Sequence, residues 1–143
     1  MNKVDLIHRW FHEVWENGNM AVIHEMLPEV FRIEGMTGDQ EFHRDNFPDL
    51  VNTFRSLTGV PRVSITKTVE TGDWIATRLR VNADGPEGTT PLAFNGQMMT
   101  RFDGTLMAEN YTTFDYLSLF EQLGQIPPDA LAICMSGQKL TWN

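Results

Sequence analysis

A single cysteine, Cys134, stands in 143 residues, so no intramolecular disulfide can brace the fold, and a disulfide-stapled secreted domain is excluded. Cys134 lies in an apolar run near the C-terminal end, which predicts a buried, unreactive thiol. Basic side chains are also scarce: 11 lysines and arginines oppose 19 aspartates and glutamates, a net charge of −8. Charge of that sign disfavours a phosphate backbone, so no nucleic-acid partner is expected. No apolar segment is long enough to span a bilayer, and the opening stretch "MNKVDLIHRW" lacks the pattern of a signal peptide. The expectation is a cytoplasmic protein with no membrane partner. Also missing are a phosphate loop, a dinucleotide fingerprint, a cysteine pair and a Ser-His-Asp order. His8 and His12 are spaced for one helix face, but "HRWFH" has neither the glutamate of a metalloprotease motif nor an evident third ligand. No metal and no organic cofactor are expected.

What is present suffices for one core. Val4, Ile7, Phe11, Val14 and Trp15 recur at helical spacing over Lys3 to Asn17, and Asn17-Gly18 ends the run. Asn19 is placed to cap a second helix, Met20 to Leu27, stopped by Pro28. A short strand is expected from Val30 to Glu34, then a glycine-bearing loop, then a third helix within Phe47 to Leu57. From Arg62 the period switches to two. Strands are predicted at Arg62 to Thr71, Trp74 to Asn82, Pro91 to Phe102 and Leu106 to Phe114, with Gly-bearing turns at Thr71-Gly72-Asp73 and Asp103-Gly104. Asp115 can cap a last helix, with Leu117, Phe120 and Leu123 as its stripe and Gly124 as its stop. Helices followed by consecutive antiparallel strands define an α+β fold, helices on one face of a curved sheet. The domain is expected to occupy residues 1–124. A tail over 125–143 either packs on it or meets a partner subunit.

Three stretches carry a resemblance: "WENGNMAVIHEML", "ETGDWIATRLRV" and "RFDGTLMAENYTTFDYLSLFEQLG". In this order and spacing they resemble the nuclear transport factor 2-like superfamily, and within it the SnoaL-like (polyketide cyclase-like) group, over Lys3 to Gly124. The resemblance implies a cone-shaped fold with a pocket between sheet and helices, commonly a homodimer. It does not imply one reaction, because this scaffold hosts several.

Site residues can be carried over by position. Ketosteroid isomerase relatives place a carboxylate near Glu34, but their two oxyanion donors correspond here to Phe11 and Met98, neither of which donates a hydrogen bond. Limonene epoxide hydrolase relatives share an arginine at Arg78, while their two aspartates correspond to Arg80 and Thr112, leaving no base for water. SnoaL-like cyclases use a last-strand aspartate, which points to Asp115. Glu34 and Asp115 are thus the catalytic candidates. Strand alternation sets Asn110, Thr112 and Phe114 on one face and Glu109, Tyr111, Thr113 and Asp115 on the other. Trp74, Arg78, Asn110 and Thr112 are expected to orient a ligand, with His43 at the pocket rim. The implied ligand is small, largely apolar, and aromatic or polyketide-like. The chemistry implied, if any, is proton transfer on carbon by a cyclase or isomerase. The alternative is a non-catalytic binding or dimerisation module. An apolar row at Ile75, Thr77, Leu79 and Val81, placed opposite the arginine face, is expected to bury itself against a second copy of the chain.

Overall fold

The computed structural model describes residues 1–33 and 40–141. Its elements run α1 (Lys3–Arg9), a π-helical segment (Trp10–Glu16), α2 (Ala21–Met26), β1 (Val30–Ile33), β2 (Gln40–His43), α3 (Phe47–Thr58), β3 (Arg62–Thr71), β4 (Trp74–Ala83), β5 (Leu92–Asp103), β6 (Leu106–Phe114), α4 (Tyr116–Gln122) and α5 (Ala130–Met135). The long strands are antiparallel in the order β3-β4-β5-β6, and β1 pairs with β2 as a separate two-stranded ribbon. The expected α+β order is therefore present, with β2 added where a loop was expected and α5 formed within the tail.

Local chemistry explains the boundaries. Asn2 accepts the Asp5 amide at 2.8 Å while the Asp5 carboxylate takes the Asn2 amide, a reciprocal cap that starts α1. The first helix then widens: the Asn17 amide donates to the His12 carbonyl at 3.0 Å, five residues back. Asn19 does not cap α2 with its side chain; its amide is drawn instead to the Glu13 carboxylate at 3.2 Å. Gly59 ends α3 with φ +76°, close against the Gly85 carbonyl, where a Cβ would have no room.

The sheet's two faces differ sharply. Ile75, Leu79 and Val81 of β4 are buried beneath the helices, whereas Arg78 is exposed. This corrects the sequence expectation, which turned the arginine face inward and left the apolar row for a second subunit. That row is needed inside the single chain, where Ile75 and Leu79 pack with Ile7, Phe11, Val14, Ile23 and Val51 from the helices. Aliphatic side chains leave water here without a partner, and the arginines stay hydrated on the far side. A second cluster, Val81, Ala83, Leu92, Phe94 and Leu119, closes the other end beneath α4. Cys134 is a further correction: it is exposed on α5, because that short helix buries only Ala130 fully.

Gly96 on β5 faces Phe114 on β6. The Phe114 ring lies over the bare Cα, and a Cβ there would collide with the ring carbons. The glycine is therefore required by packing rather than by a left-handed backbone. Gly96→Ala should destabilise the protein by roughly 1–3 kcal/mol through overpacking. Urea denaturation would check this, and an unchanged midpoint would show that the ring moves aside freely.

Candidate functional site

A cavity of about 370 Å³ opens between the helices, β1 and β6, within the size range of small-molecule pockets. Its wall is aromatic on the helical side. Trp10, Phe11 and Trp15 come from the first helix, and Phe47 and Phe54 from α3. The π register brings Trp10 and Trp15, five residues apart, to one side. Trp10 meets Phe47 at 5.4 Å between ring centroids, and Trp15 sits edge-on to Phe47 at 5.8 Å and Phe54 at 5.6 Å. Such tilted and edge-on pairs hold each ring in a defined pose. Met98, Met107, Phe114, Leu27 and Phe31 add further apolar surface.

Among the described residues, polar lining is restricted to Arg32 on β1, Glu109 to Thr112 on β6, and Tyr116 at the start of α4. Thr77, Met98 and Thr112 share one row across the sheet, and Thr100 and Asn110 pair in the next. These rows are on the buried face, so Asn110 and Thr112 look into the cavity. Glu109 and Tyr111 belong to the opposite face by alternation. They line the cavity too because, in the described ladders, β6 is the edge of the four-stranded sheet. The Arg101 guanidinium, then the Tyr111 hydroxyl at 3.0 Å, hold the Glu109 carboxyl below its ordinary range. That carboxylate is ionised and already engaged, poorly suited to take a proton from a ligand. Burial pushes the Tyr116 hydroxyl up to about 12, so it is a neutral hydrogen-bond donor throughout the physiological range.

The remaining sequence candidates separate from this cavity. Trp74 and Arg78 do not line it. Arg78 shares its row with Lys67, Gln97 and Thr113, on the outer face, so it cannot act beside Thr112. His43 is also outside the lining; its Nδ1 accepts the Asp45 amide at 3.2 Å and its Nε2 is 3.3 Å from Glu29. Asp115 faces away, and its carboxylate accepts the Ser118 amide at 3.0 Å as the cap of α4. Glu34 lies outside the described residues. Among the described residues no three histidine, cysteine or carboxylate side chains converge as metal ligands, and no helix is long and apolar enough to cross a membrane. The sequence reading missed Trp10, Phe47, Phe54 and Tyr116 as lining. The i, i+5 tryptophan spacing was a legible sign, but only a widened helix gives it meaning.

A cone of helices against a curved antiparallel sheet, with an aromatic cavity between them, defines a nuclear transport factor 2-like protein. The chain belongs to the SnoaL-like family: the SnoaL-like domain model matches residues 7–110. A search of curated sequences returns no match. Among solved structures, a candidate polyketide cyclase from Acidithiobacillus ferrooxidans is similar at TM-score 0.71 and 19% identity, over 85% of this chain and 93% of that one. Wild-type IdmH, a candidate polyketide cyclase from Streptomyces antibioticus, gives TM-score 0.70 and 19% identity over 87% and 99% of the two chains. A Catenulispora acidiphila protein with a ketosteroid isomerase-like fold, in complex with trimethylamine, gives TM-score 0.71 and 14% identity over 86% and 95%. At these identities the likeness is one of fold.

The cap role of Asp115 is directly testable. Asp115→Ala should cost about 1 kcal/mol of stability, whereas Asp115→Asn should be near neutral, since asparagine caps as well. Thermal melts of the two variants would check this; equal losses would show that the carboxylate charge, rather than its capping geometry, matters.

Proposed function

We propose that this protein binds a small, largely apolar, aromatic ligand in the cavity between its first helix, α3 and β6. One observation carries the reading: the cavity is walled by aromatic rings and presents polar groups along one side. An apolar body with a polar edge matches that division, the rings supplying buried area and the polar strip fixing orientation. Trp10 and Trp15 both line the cavity, so occupancy should change tryptophan emission. Titration with bicyclic aromatic compounds should shift emission and raise the melting temperature together. No response to any of them would overturn the reading.

A second reading, acid/base chemistry on carbon, is favoured by the candidate polyketide cyclases among its structural neighbours. It needs a carboxylate that can accept a proton. Glu109 is engaged and Asp115 caps α4, so Glu34 is the residue on which catalysis would depend. As a general base, Glu34→Gln should lower turnover by about a hundredfold or more with ligand affinity retained. For a binding module the same change should leave ligand affinity unaltered and no turnover should be found in the parent protein.

The homodimer belongs to this proposal, through the opposite face from that first expected. Val69, Ala76, Met99 and Tyr111 are register partners across all four strands. They form an apolar row on the outer face, with Val69 70%, Met99 51% and Tyr111 41% exposed. A two-fold axis along that row sets the same side chains of two copies against each other and removes the row from water. Light scattering should give a dimer, and Met99→Glu should give a monomer of unchanged secondary structure. A monomeric parent protein would overturn this part.

A further inference from the structure

Resting on the cavity reading above, one pair of side chains defines what kind of polar group a ligand must present. Thr100 is fully buried, and its hydroxyl donates to Asn110 Oδ1 at 2.9 Å. This bond decides which way round the Asn110 amide sits. With Oδ1 turned to Thr100, the buried hydroxyl proton is satisfied. With the amide reversed, both groups would present hydrogens to each other, or the hydroxyl proton would have to find another acceptor; none is bonded to it among the described residues. Leaving a buried donor unmade is costly, so the observed orientation is held. The Asn110 NH₂ group is then directed away from Thr100 and has no hydrogen-bond partner among the described residues.

Each carboxylate and amide acceptor oxygen on β6 already takes one hydrogen bond. Asn110 Oδ1 takes the Thr100 hydroxyl, and the two Glu109 oxygens take Arg101 and Tyr111. What the strip still presents is the Asn110 amide hydrogens and the Tyr116 hydroxyl, which likewise has no partner among the described residues, besides the ambivalent hydroxyl of Thr112. Among the described residues, the Asn110 amide is thus the group on this wall whose role is fixed as donor. We propose that Thr100 is a positioning residue that locks Asn110 as a hydrogen-bond donor, so that the site selects aromatic ligands bearing a carbonyl oxygen over their hydrocarbon counterparts. Selectivity follows because a ligand lacking an acceptor leaves the Asn110 donor desolvated and unpaired.

The test uses 1-tetralone and tetralin, bicyclic compounds that differ by one carbonyl, measured by calorimetric titration. Asn110→Leu should weaken 1-tetralone by about five- to tenfold relative to tetralin, the loss of one hydrogen bond. Thr100→Val, which removes the hydroxyl at nearly constant shape, should reduce the same ratio, and Thr100→Ser should restore it. A purely structural role for Thr100 would weaken both compounds equally. In the parent protein, the ¹⁵N-¹H resonances of the Asn110 side chain should shift with 1-tetralone and stay in place with tetralin, a readout that needs no variant to fold. An unchanged affinity ratio in Asn110→Leu, or an Asn110 resonance that responds to both compounds alike, would overturn the inference while the cavity reading stands. Failure of both compounds to bind would overturn the cavity reading and this inference with it.

Discussion

The burial of one face of β4 and β5 is the constraint from which the rest follows. Ile75, Leu79, Val81, Phe94 and Met98 are all removed from water on that side, and period two then assigns every neighbour. Arg78 and Arg80 must face out, Thr112 and Asn110 must face in, and Phe114 must lie over Gly96. A one-residue slip of β6 would turn Asn110 and Thr112 to the outer face and Thr113 to the inner one. The site's chemistry is thus a consequence of sheet register.

The cavity exists because the helices bridge the β6 side of the sheet without filling it. On the helical wall, large rings pack tilted or edge-on to one another and bound the cavity. The widened turn over Trp10–Glu16 contributes directly, since a regular helix would rotate Trp15 about 140° past Trp10 rather than stack it on the same side. Apolar enclosure strengthens each hydrogen bond made inside it, so a few polar groups on β6 have disproportionate influence on what binds.

Family membership and mechanism separate here. The SnoaL-like match and the fold likenesses describe a scaffold, while the side chains of this chain define its chemistry. Phe11 and Met98, which the resemblance sets at the positions of the isomerase oxyanion donors, both line the cavity as apolar surface. Asp115, which the resemblance sets at the last-strand aspartate of the cyclases, accepts the Ser118 amide.

Strand and helix limits were legible because they depend on local signals. Arg62 to Thr71 and Leu106 to Phe114 are strands over those same residues, since alternation fills them and turn glycines or the Asp115 cap bound them. The Asp115 cap was legible for the same reason. By contrast, β2 was read as loop, because "QEFH" becomes a strand only by pairing with Val30 to Ile33. The sequence by itself determined period, turns, the Asp115 cap and family. Alternation states which residues share a face but carries no information on which face meets the helices. That assignment put Asn110 and Thr112 in the cavity and Arg78 outside it, and only the packing of helices on sheet decided it, because burial is a property of the assembled core.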